Sequence, residues 1–119
     1  MDKPTINVSN EPAPTDLVIE DIVIGEGEEA QAGGMVKVHY LGWFYQTGKK
    51  FDSTWDRGGA AEFPLAGLIE GWQDGIPGMK VGGRRQLTIP PEKGYGPAGD
   101  IHPLSGHTLV YVIDLLDVN

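Results

Sequence analysis

The sequence predicts an α+β domain, an antiparallel sheet of five or six strands wrapped over one short α-helix. Three observations predict it. Six short runs have strand character and are separated by glycine and proline turns. Only one segment carries a helical stripe, and no stretch repeats another.

Residues 1–16 include Pro4, Pro12 and Pro14 and few apolar side chains, so they read as a disordered, acidic leader before a domain at 17–119. Leu17 to Ile24 is rich in β-branched residues and reads as the first strand. Gly25 to Gly34 is a polar turn region. Met35 to Tyr45 is the clearest strand, with Val36, Val38 and Tyr40 on one side and Lys37 and His39 on the other. Thr47 and Gly48 mark a turn, and Lys49 to Thr54 reads as the paired strand. Gly58 and Gly59 break the chain before a short edge-like segment, Glu62 to Leu65. Leu68 to Ile76 is the helix, because Ile69, Trp72 and Ile76 fall on one face. Gly71 makes it a poor helix in isolation, so packing of that face must hold it. Arg84 to Ile89 and Leu109 to Leu116 are the last strands. The second is apolar on both faces, which predicts a central position.

Composition narrows the function. The chain has 119 residues, enough for one core, and no cysteine, which excludes thiol catalysis, thiolate zinc sites and disulfides. That composition fits a reducing compartment, and with no apolar run at the start the expectation is a soluble, cytoplasmic protein; it is expected to be a monomer. No run is long enough to span a membrane. The net charge is −8. Residues 1–30 hold eight acids and one lysine, net −7, so the remainder is almost neutral. An acidic chain gains nothing from counterion release, which argues against nucleic acid as a partner.

The usual catalytic motifs fail. Gly25 to Ala30 matches a dinucleotide fingerprint in letters, but its three glutamates would face a pyrophosphate and no helix follows. Ser9, Ser53 and Ser105 lack a nucleophile elbow. His39, His102 and His107 lack metal-ligand spacing, so no metal site is expected. Asp52 and Asp56 do not form a glycosidase pair.

What remains is aromatic. A tryptophan on the inner face of a lone helix, Trp72, can floor an apolar ligand site. Phe63 fits core or pocket equally well. Pro90 to Gly106 is a 17-residue loop with four prolines and four glycines. Loops this long in compact domains are functional or disordered, and Tyr95 and Ile101 inside it point to an ordered cover.

Six segments then become specific. They are Val38-His-Tyr-Leu-Gly42, Gly48-Lys-Lys-Phe-Asp-Ser53, Ile69-Glu-Gly-Trp72, Gly78 to Pro90, Glu92-Lys-Gly-Tyr-Gly96 and Thr108 to Leu116. In this order they resemble the FK506-binding class of peptidyl-prolyl isomerases, from about Leu17 to Val118. The resemblance implies a strongly twisted sheet around one helix, with a hydrophobic pocket between them. It implies walls from Tyr40, Phe51, Leu68, Ile69 and Tyr111, and a floor from Trp72. Tyr95 would supply a hydroxyl and the Ile69 backbone N–H a second donor. Asp52 would lie at the rim with Arg57 as ionic partner, and Leu104 would be the apolar tip of the covering loop. Tyr40, Asp52 and Tyr95 would be the catalytic set. The implied partners are proline-containing peptides and proteins, with FK506- or rapamycin-like macrolides as further ligands.

Rotation about an X–Pro bond breaks no covalent bond, so the resemblance implies no cofactor, which accounts for the failed motif search. The sequence departs from the family at Ala61, where an aromatic often stands, and at Tyr111, where phenylalanine is usual. The segment before Leu68 is two residues short, and the strand end at Tyr45 is one residue long. A module that binds prolyl peptides without turnover is the alternative reading of the same pocket.

Overall fold

The computed structural model describes residues 3–6, 8, 11–96 and 102–118. Six strands form one antiparallel sheet: β1 (Val18–Val23), β2 (Met35–Phe44), β3 (Lys50–Ser53), β4 (Ala61–Pro64), β5 (Arg84–Ile89) and β6 (Leu109–Val118). The order is β1-β5-β6-β2-β3, and β4 pairs with the first half of β2. β6 is therefore central, as its two apolar faces predict. Long β2 pairs with β6 over Val36–Phe44 and on its other edge serves two partners, β4 over Met35–Val38 and β3 over Leu41–Trp43.

Among the described residues two α-helices accompany the sheet, α1 (Thr54–Arg57) and α2 (Glu70–Gly75). α2 falls inside the predicted helical segment, and its face is buried as expected: Trp72 and Ile76 enter the core. Its glycines have a packing role that periodicity does not reveal. A Cβ on Gly71 would lie 2.6 Å from Ile89, and one on Gly75 would lie 2.7 Å from Leu87. The helix thus rests directly on β5, and the helix-weakening residues are what permit the contact.

α1 corrects the reading of Lys49–Thr54 as a strand throughout. The strand stops at Ser53, whose side chain accepts from the Asp56 N–H at 3.3 Å and caps a single turn. Gly58, at φ 87°, closes that turn in a left-handed conformation.

The core lies between the sheet and α2, from Val36, Val38 and Tyr40 of β2 to Leu87 and Ile89 of β5 and Leu109, Tyr111, Ile113 and Leu115 of β6. The other face of the sheet is not bare. Leu41, Trp43, Val110 and Val112 form a second buried cluster, against which Trp55, Tyr45 and Ile6 pack. Described residues from the predicted leader lie on this side. Lys3 Nζ pairs with Asp56 Oδ1 at 2.6 Å, and the Tyr45 hydroxyl donates to the Glu11 carbonyl at 3.1 Å. Among the described residues no helix is long and apolar enough to cross a membrane.

Candidate functional site

A cavity of about 140 Å³ opens between α2 and the concave side of the sheet. Tyr40, Asp52, Phe63, Leu68, Ile69, Trp72, Tyr95 and Tyr111 line it. Secondary structure explains the aromatic positions of the floor and walls. Strand alternation turns Tyr40 and Tyr111 to the same side as the core residues of β2 and β6. Helix periodicity turns Trp72 down towards them. β4 pairs Phe63 with Val36 and Ala61 with Val38, so both face the same way.

The floor is an aromatic cluster. The Trp72 ring meets Tyr40 and Tyr111 edge-on at 5.1 Å each, and Phe63 at 5.9 Å. Phe51 does not line the cavity but backs it, edge-on to Tyr111 at 5.5 Å. Such pairs are worth about 0.5–1.5 kcal/mol each beyond their buried area. The Trp72 Nε1–H is buried and meets no acceptor among the described residues.

The rim is polar. The Tyr40 hydroxyl donates to Asp52 Oδ2 at 2.6 Å, and Arg57 donates to Asp52 Oδ1 at 2.8 Å and to the Tyr40 hydroxyl oxygen at 2.9 Å. The Asp52 carboxylate also accepts from the Ser53 N–H at 2.9 Å. Arg57 therefore takes part through Asp52 and Tyr40 without lining the cavity. Burial, and then the hydrogen bond to Asp52, raise the Tyr40 pKa above its ordinary value, while Arg57 opposes the shift. Burial pushes Tyr111 well above the ordinary tyrosine value, and the neighbouring Tyr95, Tyr40 and Asp52 push the same way. Both phenols stay protonated at neutral pH and carry no charge, and the Tyr40 proton is committed to Asp52.

Tyr95 comes from the long loop. Its ring stacks on His102 at 3.9 Å, and its carbonyl accepts from Ser105 Oγ at 2.7 Å. The Gly106 N–H reaches the Gly96 carbonyl at 2.7 Å and draws the two ends of the loop together. Leu104 packs on the core from this loop without lining the cavity. Ile101 lies outside the described residues. Ile69 precedes α2 as its N-cap, so its N–H stands outside the helical hydrogen-bond ladder.

Seven of the ten residues singled out in the sequence line the cavity, and Phe51, Arg57 and Leu104 stand behind them. Phe63 is the lining residue that sequence left between two readings. Its signal is the β4–β2 register, which no local pattern encodes.

Known proteins resemble this chain in both sequence and fold. The family model of the FKBP-type peptidyl-prolyl cis-trans isomerases matches residues 26–116. A probable FK506-binding protein of Corynebacterium glutamicum is 66% identical, with 98% of each chain covered. An FK506-binding protein of Streptomyces anulatus is 44% identical over 99% of this chain and 98% of its own. Among solved structures, FkpA from Escherichia coli matches with TM-score 0.80 and 38% identity, over 95% of this chain and 51% of that one. AtFKBP13 matches with TM-score 0.76 and 34% identity, over 90% and 96%.

Proposed function

The chain belongs to the FKBP-type peptidyl-prolyl cis-trans isomerases, and from that premise we propose how its own residues carry the reaction. The observation that supports the reading is a cavity floored by Trp72 and walled by aromatic rings, with the hydrogen-bonded Tyr40, Asp52 and Arg57 at its mouth.

The barrier to be lowered is about 18–20 kcal/mol and arises from amide resonance. At the perpendicular transition state that resonance is lost, and the carbonyl is less polar than in the planar amide. A dry aromatic pocket penalises the planar form more than the twisted one. Each 1.36 kcal/mol of that difference is about tenfold in rate. Trp72, Tyr40, Phe63 and Tyr111 supply the dry surface that holds the proline ring. The Tyr95 hydroxyl and the Ile69 N–H donate to peptide carbonyls and keep the chain bent. The Tyr40, Asp52 and Arg57 triangle fixes the shape of the mouth. No proton is transferred in this scheme.

The test is an isomerase assay on a prolyl tetrapeptide, wild type beside Trp72→Ala. Activity that survives intact in the variant sinks the reading. Activity absent from the folded wild type would instead favour a binding module.

FK506-like macrolides are proposed as ligands of the same cavity, in keeping with the names of the relatives. Ala61 lacks the aromatic ring that would extend the rim, so affinity should be lower than in family members that have one. Ala61→Phe should tighten binding in a fluorescence titration, and equal or weaker affinity overturns this. A monomeric, cytoplasmic protein that assists folding is part of the same proposal, in keeping with the cysteine-free sequence. Light scattering and fractionation check the first two parts.

A further inference from the structure

Arg57 reaches Asp52 and Tyr40 only if α1 is held in place, and α1 is a single turn. One turn has no stability of its own, because the cost of nucleation is not offset by propagation. The Arg57 side chain is 53% exposed, so packing over it does not hold it either. The ion pairs from Lys3 and Lys50 to Asp56 are also solvent-exposed, and such pairs hold weakly.

The buried anchor is Thr54, the first residue of α1, with 0% exposure. The β2–β3 ladder pairs Leu41 with Ser53 and Gly42 with Asp52, so its next rung would pair Tyr40 with Thr54. At that point the backbone leaves the sheet for α1. The Thr54 hydroxyl takes over the missing rung: its Oγ1 accepts from the Tyr40 N–H at 2.8 Å and lies 3.3 Å from the Tyr40 carbonyl oxygen. It also lies 2.8 Å from His39 Nδ1, and the His39 ring stacks on Trp55 of α1 at 4.8 Å. A hydroxyl rotates, so it can donate to His39 or to the Tyr40 carbonyl as the histidine tautomer requires.

We propose that Thr54 is a positioning residue for the isomerase site, a side-chain rung that ties α1 to the backbone of Tyr40 and so delivers Arg57 to Asp52 and the Tyr40 hydroxyl. The inference rests on the functional reading of the rim given above. It assigns to a buried hydroxyl, outside the cavity, control over the shape of the cavity mouth.

The test is a coupling measurement on kcat/KM for a prolyl peptide. Thr54→Val keeps the shape and removes the hydroxyl, and should lower kcat/KM about five- to tenfold, while Thr54→Ser should stay within about twofold of wild type. In an Arg57→Ala background, Thr54→Val should cost less than about twofold more, because the residue it positions is already gone. A merely structural threonine would give multiplicative losses instead. His39→Phe keeps the stack on Trp55 and removes the ring nitrogen, so it carries the same test if Thr54→Val fails to fold. It should cost about two- to threefold, and that loss too should vanish without Arg57. Wild-type rates in Thr54→Val beside an impaired Arg57→Ala, a serine variant as poor as the valine one, or full multiplicativity each overturn the proposal. Wild-type rates in both Arg57→Ala and Asp52→Asn would break the reading of the rim itself, and this inference with it.

Discussion

Trp72 at the floor of the cavity is 4% exposed and meets three aromatic rings, whereas Arg57 at the rim is 53% exposed and holds Asp52 and Tyr40 by hydrogen bonds. The two regions are a few residues deep in the same site, yet they are governed by different physics. The floor is part of the hydrophobic core, so what it does for a ligand cannot be separated from what it does for the fold. The rim is polar and wet, and its contacts add little to stability because solvent screens them. Function at the floor is tied to folding, and function at the rim is nearly free of it.

The largest expected effect breaks the floor. Trp72→Ala should destabilise the protein by about 3–5 kcal/mol in denaturant titration, by loss of transfer energy and a residual cavity. Activity of the folded fraction should fall more than about tenfold in the same sample. A variant with normal stability and no activity would mean that Trp72 is not a core residue in solution.

Tyr95→Phe probes the cover between floor and rim. One neutral hydrogen bond is worth about 0.5–1.5 kcal/mol, so kcat/KM should fall roughly two- to twelvefold. The rate of wild type should stay nearly flat between about pH 6 and 8.5, without the bell shape of acid–base catalysis. A thousandfold loss, or a bell that flattens in the variant, would make Tyr95 a proton donor and the mechanism wrong.

Asp52→Asn sharpens the contrast from the rim side. It removes charge and keeps size, so kcat/KM should fall by a few-fold while stability changes by about 0–1 kcal/mol. A melting temperature many degrees lower would show that the rim is structural after all.

The smallest effect should appear only in alkali. The raised pKa of buried Tyr111 means the native state keeps this proton at pH values where the unfolded chain has lost it. Its contribution is complete below the ordinary value of 10.0 and is lost as pH rises above it. Thermal stability should therefore fall above about pH 10, and less steeply in Tyr111→Phe. Identical slopes in the two proteins would show that Tyr111 is not buried as described.

Much of this arrangement is legible in sequence because it follows from period. Alternation in Val36, Val38 and Tyr40 fixes which side of β2 faces the core, and the helical spacing of Ile69, Trp72 and Ile76 fixes the inner face around α2. These are properties of neighbours along the chain. The resemblance then named ten site residues, and seven line one cavity.

What sequence left open depended on partners far apart in the chain. Phe63 could not be assigned until β4 was paired with β2, because its direction is set by register. The turn at Thr54–Arg57 was hidden because a run such as Lys49–Thr54 is strand-like until a capping serine ends it. Gly71 reads as helix-weakening until Ile89 of β5 lies beneath it, and Gly75 sits as closely over Leu87. Ile6, in the segment read as a leader, packs against the cluster of Leu41, Trp43, Val110 and Val112, a surface that only the folded sheet provides. Local sequence determined the strands, the main helix and the aromatic inventory, since propensity and period act over a few residues. Tertiary structure alone decided which side chains share the cavity, since register, close approach and burial belong to pairs of elements brought together only by folding.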